Sequence, residues 1–322
     1  MTTTRQTMNG KPVFDVPAKS IINMDSGFKQ KLLCDGPTFS TGTACAYSCA
    51  FCYVPAIMKK SPHLKGITQP HEDIVIRRAG ALDAMRQQLL TRGKPRFADP
   101  DDTRVIYASP LVDVAANLDL CRETVKACNL LLELTHWQIR LLSKSNLLPW
   151  IDTHLAQYRD RIIYGVSTGT LNDDLAAAFE KGTPKVSKRL ASLHELQERG
   201  CRTFGMICPS LPSPVGDYNS FARDMATPDM FRCEHIWAEV INVRGESMTR
   251  TCKALANAGF QSIAEALHRV STDANAWEDY ARLTFEAHTF WHPGTTLRFL
   301  QYVNDRNRAW WEPRVKDGAV LL

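Results

Sequence analysis

The sequence predicts an α/β protein: a partial (β/α)6 barrel of the TIM type, open on one side, with a mostly helical C-terminal extension. Three observations carry this expectation. Short β-rich runs alternate with amphipathic helical stretches from about residue 38 to 243. The alternation repeats six times, which implies a parallel sheet with right-handed crossovers. From about residue 244 the pattern turns mainly helical.

The elements follow in order. Residues 1–37 are punctuated by Pro and Gly and read as a segment that wraps the main domain, 38–243, with 244–322 as an appendage on it. Strands are expected at Phe39–Thr43, Arg104–Ser109, Gln138–Ser143, Ile162–Thr168, Arg202–Ile207 and Ile236–Ile241. Between them, helices are expected near His71–Thr91, Asn117–Thr135, Leu147–Tyr158, Leu171–Phe179, Ser187–Arg199 and Asp217–Ala226. The stretch "SKRLASLHELQERG" shows the grammar: Ser187 as N-cap, Leu190, Leu193 and Leu196 at helical spacing, and Gly200 as the stop. Pro209 is expected to end the strand that follows. In the extension, Trp277–Phe290 is the clearest helix.

With 44% hydrophobic and 23% charged residues, the 322-residue chain has the composition of a soluble globular protein. No apolar run is long enough to span a bilayer, and the opening residues lack an apolar segment of signal type, so no membrane role and a cytoplasmic location are expected. A net charge of +5 is compatible with nucleic acid and does not establish it. Ten cysteines in such a chain argue against a disulfide framework.

Three of those cysteines fall within "TGTACAYSCAFCYVP": Cys45, Cys49 and Cys52, at spacings of four and three. Structural zinc requires four closed ligands, and neither Cys34 nor His63 stands at a usual zinc spacing. A redox dithiol needs only Cys49 and Cys52. A four-iron cluster takes one thiolate per iron, so three cysteines leave one iron open to a substrate or cofactor. The loop follows the first expected strand, at the mouth where α/β barrels place chemistry.

Cys-x-x-x-Cys-x-x-Cys with Phe51 and Tyr53 flanking the last cysteine resembles the radical S-adenosylmethionine (SAM) superfamily. The resemblance implies that Cys45, Cys49 and Cys52 hold a [4Fe-4S] cluster and that SAM chelates the fourth iron. It also implies reductive cleavage of SAM to a 5′-deoxyadenosyl radical that abstracts a hydrogen atom. From about Lys19 to Val243 the chain is similar to the spore photoproduct lyase-like branch, through "AKSIINMDSGF", "VIYASPLVD", "IRLLSKSNLL" and "YGVSTGTLNDDLAAAFEKGTPKVSKRLASLHEL". The last of these carries a strand, a Glu-containing turn and an Arg-Leu helix. Carried over by position, Lys144 and Ser167 would contact the carboxylate and ribose of SAM. Ser109, Asp113 and Arg189 join Phe51 and Tyr53 as further cofactor-binding candidates. A solvated lysine, a plain loop serine and structural ion pairs are the bland readings of these polar positions.

One departure concerns the hydrogen donor. The branch carries a cysteine near the end of its second strand, where this chain has Ser109 and Pro110. A serine O–H is a poor hydrogen-atom donor, and Cys208 in "GMICPSLP" is the candidate replacement, a core thiol being the alternative. The resemblance implies a DNA or nucleoside-derived substrate, a modified thymine or other pyrimidine, with lyase, isomerase or base-modifying chemistry. A reducing partner such as a flavodoxin or ferredoxin is also implied. Arg298, Arg306, Arg308, Arg314 and Lys316, interleaved with Tyr302, Trp310 and Trp311, could grip phosphates and stack on a base, or could cap the barrel. Arg77, Arg78, Arg86, Arg92, Lys94 and Arg96 form a second basic region, read as a solvated helix face. A small metabolite or peptide is the second substrate class. A non-catalytic iron–sulfur or zinc protein that binds nucleic acid is the third reading.

Overall fold

The structure is a computed structural model that describes residues 3–322 apart from residues 9, 62, 63, 65, 66, 68, 109, 242, 244 and 293–295. The expected strand at Ser109 therefore ends at the edge of the described residues, and Ser109 itself lies outside them.

A nine-stranded sheet organises the chain: β1 (Ile22–Asn23), β2 (Thr38–Phe39), β3 (Val105–Ala108), β4 (Gln138–Ser143), β5 (Ile162–Thr168), β6 (Arg202–Ser210), β7 (His235–Val240), β8 (Leu297–Gln301) and β9 (Ala319–Leu321). The strands lie side by side in chain order. Every neighbouring pair is parallel except β1 with β2, which is antiparallel. Chain order with parallel pairing is what one-way winding produces, each helix returning the chain to the same end.

The two faces differ. One is covered by helices, so Ile139, Leu141, Ile162, Tyr164 and Val166 pack against Leu131, Leu148, Leu193 and Leu196 in the main core. The other holds a smaller cluster of Tyr107, Ile163, Phe204, Met206 and Trp237, closed by Leu33 from the N-terminal segment. Hydrogen bonds tie that segment down: Arg140 Nη1 donates to Leu33 O at 2.7 Å and Trp237 Nε1 to Lys31 O at 2.8 Å. These bonds bring residues 31–33 onto the inner face.

Several elements depart from expectation. The first strand splits: Thr38–Phe39 stays in the main sheet, while Gly42–Ala44 joins a second sheet with Val75–Ala79, Lys11–Pro17 and Thr3–Met8. Gly42 makes this possible, because a Cβ there would sit 2.6 Å from Ile76 O. The helix expected over His71–Thr91 is instead a 3-10 turn, the strand Val75–Ala79 and a shorter helix, Ala81–Leu89, after Gly80 at φ +73°. Arg77 and Arg78 therefore stand on a strand, and Arg77 pairs with Glu123. The helix Val186–Glu198 starts before Ser187, whose hydroxyl donates to Asp173 of the neighbouring helix at 3.0 Å instead of capping its own. Gly200 does stop it, at φ +76°. Pro209 does not end β6, which runs to Ser210 through a register shift.

The C-terminal extension is mostly helical, with Ser247–Asn257, Gln261–Thr272 and Ala274–Trp291, but it also supplies β8 and β9 to the main sheet. These strands escaped notice because "LRFLQ" is short and sits among charged residues. No helix among the described residues is long and apolar enough to cross a membrane.

On Ala274–Trp291 and just beyond it, His288 and His292 are fully buried and stacked, ring centroids 5.6 Å apart. Among the described residues none of their four ring nitrogens has a hydrogen-bond partner. Burial pushes His288 down to about 3, helped by His292, and His292 down to about 4. Both are neutral in the folded state. The unfolded chain binds their protons first, so this contribution to stability is whole above about pH 6.5 and falls as pH drops toward 4. At pH 5 the expected loss is about 2 kcal/mol per histidine. Urea unfolding at pH 7 and pH 5 measures it, and a His288→Phe/His292→Phe double variant should lose that part of the acid sensitivity.

Candidate active site

The three motif cysteines sit on the rim where the two sheets part. Cys45 follows Gly42–Ala44, and Cys49 ends the short strand Ser48–Cys49, which pairs antiparallel with Glu180–Lys181. Cys52 closes the turn, its N–H donating to Cys49 O at 3.1 Å. All three thiols are free.

One cavity of about 220 Å³ gathers them. Its wall also includes Phe51, Tyr53, Asp113, Lys144, Ser167 and Cys208, so the ends of β4, β5 and β6 meet the cysteine loop. The approach of β5 and β6 depends on Gly169, where a Cβ would lie 2.1 Å from Pro209 O. Arg189 is absent from this wall, and Ser109 lies outside the described residues.

Lys144 is the polar centre. Its Nζ donates to Ser167 Oγ at 2.9 Å and to Cys208 O at 3.2 Å, and lies 5.3 Å from the Phe51 ring centroid. Its counter-ion is Glu180, 2.7 Å from Nζ through Oε1. Glu180 is the acid of the turn before the Arg-Leu helix, and the sequence reading did not single it out. Arg189 reaches the other oxygen, Oε2, at 2.5 Å, and also donates to Pro184 O and Ser167 O. Arg189 is 0% exposed, so it stands behind the site and holds Glu180 and the end of β5. Two cations share one carboxylate, leaving one net positive charge, and Lys144 is the cation that meets the cavity.

Asp113 is also committed. It accepts from Ser143 Oγ at 2.6 Å, from Lys144 N at 2.8 Å and from Ala115 N at 2.9 Å. Burial raises its carboxyl, and these three donors oppose the rise. It locks the end of β4 beside the loop after β3. Phe51 packs on Phe179 with centroids 5.6 Å apart, and Tyr53 donates to Pro110 O.

Cys208 faces Glu239, Sγ to Oε2 at 3.8 Å, and Glu239 pairs with Lys31 at 3.1 Å. Burial, then Glu239, pushes the Cys208 thiol up to about 12. It therefore keeps its proton at neutral pH.

The donor set fits a four-iron cluster. Three free thiols line one cavity wall, and a four-iron cluster takes one thiolate at each of three irons. Burial pushes Cys45 up to about 12, with Cys52 and Asp113 adding to it; Cys49 is well above its ordinary value through burial and Glu180. Cys52 is raised by burial and relieved by the Val54 N–H and Arg250. Such thiols ionise only against a cationic partner, so loading would release protons.

The basic and aromatic tail does not form the exposed stacking platform considered above. Trp311 is 0% exposed in the core, and Trp310 lies between Arg314 and Arg282, 3.4 and 5.0 Å from its ring centroid. Tyr302 remains half exposed.

No family model matches the chain. The uncharacterised protein ORF301 of Acidianus two-tailed virus is 22% identical over 249 residues, 74% of this chain and 78% of that protein. Among solved structures, a cysteine-to-serine mutant of spore photoproduct lyase matches with a TM-score of 0.53 and 12% identity, over 76% of this chain and 66% of the lyase. A tyrosine-to-phenylalanine mutant of the same enzyme matches at 0.52 and 11%, over the same shares. The chain thus spans just under two thirds of the lyase's length. At such identity the likeness is one of fold: over the matched 76% of the chain, the fold is similar to that of spore photoproduct lyase.

Proposed function

We propose that the protein is a radical SAM enzyme, built on an incomplete barrel over 38–243, that abstracts a hydrogen atom from a modified pyrimidine in DNA. One observation carries the reading: a single cavity is walled by Cys45, Cys49 and Cys52 together with Lys144, Ser167 and Cys208. Bound there, a [4Fe-4S] cluster with SAM would supply one-electron cleavage of SAM and a 5′-deoxyadenosyl radical.

The chain's own residues bind, orient and quench. Lys144 offers its ammonium to the carboxylate of SAM, and Ser167, already in reach of Nζ, offers a hydroxyl to the ribose. Phe51 and Tyr53 shape the wall beside the last cysteine. Asp113 and Arg189 keep the strand ends in register. Cys208, on the same cavity wall, would give the hydrogen atom of its S–H to a substrate radical, so that a C–H bond forms, the S–H bond breaks and the unpaired electron passes to Cys208 Sγ.

The fold likeness to the lyase supports this substrate class, and the net charge of +5 is compatible with it. A small metabolite is the second reading, favoured by the burial of Trp311 and the modest cavity volume of about 220 Å³.

The test is anaerobic 5′-deoxyadenosine formation by the reconstituted, reduced enzyme with no substrate, plain DNA, UV-irradiated DNA and DNA carrying modified thymines. Faster formation with one DNA is expected. Equal slow formation in all four would move the substrate to the metabolite class. None at all, with the cluster intact, would leave a non-catalytic iron–sulfur protein. In the same assay Cys208→Ala should still form 5′-deoxyadenosine while product formation falls about tenfold or more.

A further inference from the structure

The cysteine turn is held from two sides. On one, Glu180 pairs with Cys49 through the backbone. On the other, a residue from the C-terminal extension reaches it: Arg250, on the helix Ser247–Asn257, donates from Nη2 to Cys52 O at 2.7 Å. The same guanidinium presents Nη1 to His71 Nδ1 at 3.2 Å, and Nδ1 also lies 2.7 Å from Glu72 Oε2. Nδ1 serves one of these at a time, accepting from Arg250 when bare and donating to Glu72 when protonated. The segment before the helix is close as well, since a Cβ on Gly245 would stand 3.3 Å from that of Ala56.

We propose that Arg250 is a positioning residue for the cluster turn, and that its charge favours the reduced state of a cluster held by Cys45, Cys49 and Cys52. The inference rests on the cluster reading above. Reduction adds one negative charge to the cluster, and a fixed cation at the carbonyl of a ligating residue lowers the cost of that electron. Glu72, the carboxylate beside His71, has a side chain 46% exposed, so water screens its opposing charge. Among the described residues Arg250 Nε is buried without a hydrogen-bond partner, while the Cys52 carbonyl and His71 take the contacts of Nη2 and Nη1. The tail that reads as an appendage would thereby set the energy of the electron entering the site.

The test is an EPR-monitored redox titration of anaerobically reconstituted wild type, Arg250→Gln and Arg250→Lys, with iron and sulfide content measured on each. At a fixed poise the reduced-to-oxidised ratio in Arg250→Gln should fall about tenfold, equivalent to about 59 mV for a one-electron couple. Arg250→Lys should recover most of that loss. A wild-type ratio in Arg250→Gln at full iron content overturns the proposal. If Arg250→Gln takes up no iron while its thermal midpoint holds and Arg250→Lys restores uptake, the positioning role stands. If uptake and thermal midpoint fall together, Arg250 is a residue of the fold only and the proposal fails. A wild type that takes up no iron overturns both this inference and the cluster reading beneath it.

Discussion

Replacing any one of Cys45, Cys49 or Cys52 with alanine should lower bound iron from about four per chain to a small residue and bring 5′-deoxyadenosine to the assay background. A four-iron cluster with only two thiolates leaves two corners open to solvent. The folding cost should be slight, because the contacts of these sulfurs among the described residues are weak ones, such as Cys45 Sγ to Tyr47 O at 3.9 Å. Thermal midpoints within a few degrees of wild type would separate loss of the cluster from loss of the fold. Cys34→Ala and Cys208→Ala are the controls and should retain their iron, since Cys34 belongs to the inner-face cluster and Cys208 lies on the Lys144 side of the cavity. Full iron content in a Cys49→Ala protein would sink the motif assignment.

Glu180→Ala is expected to be the most damaging change to stability near the site. The carboxylate is 1% exposed and lies between Lys144 at 2.7 Å and Arg189 at 2.5 Å. Removing it leaves two cations at close range with no counter-charge, one of them wholly buried. Breaking such a buried pair from one side costs about 3–5 kcal/mol. Glu180→Gln keeps the shape and part of the hydrogen bonding, so it should cost less. Chemical denaturation at neutral pH measures both. A loss below about 1 kcal/mol for Glu180→Ala would mean that water enters and screens the cations. Because Glu180 pairs with Cys49 along the backbone, the same variant should also load iron more slowly.

Much of this arrangement was legible in the chain. Periodicity located the strands β3 to β7 to within a few residues, because a strand buried on both faces must be a short apolar run and the helices between must carry one apolar stripe. The cysteine spacing was legible for a chemical reason: ligands to one cluster are drawn from one turn, so their separation is local. Lys144, Ser167 and Asp113 are singled out by the resemblance to the lyase-like branch rather than by the pattern alone, and parallel winding is what brings their strand ends, with Cys208, to one rim.

The failures share a cause. Val75–Ala79 was expected as helix because a mixed apolar and basic run fits either period; its strand partners at Lys11–Pro17 and Gly42–Ala44 decide the matter. Ser187 has a good capping sequence, yet Asp173 takes its hydroxyl. Trp310 and Trp311 look like a stacking surface until the fold buries one and sandwiches the other between arginines. Arg189 carries the charge of an anion ligand but spends it on Glu180.

The sequence by itself determined the local grammar: alternating strands and helices, the helical tail, the three-thiol turn and the residues at the strand ends. Only the tertiary structure decided which charges face the cavity and which are spent behind it, and that Glu180 and Arg250 grip the cysteine turn from 131 and 198 residues away. The physical reason is range. Periodicity, capping and ligand spacing act over a few residues, whereas charge pairing and burial are settled by whichever distant segment the fold brings within about 3 Å.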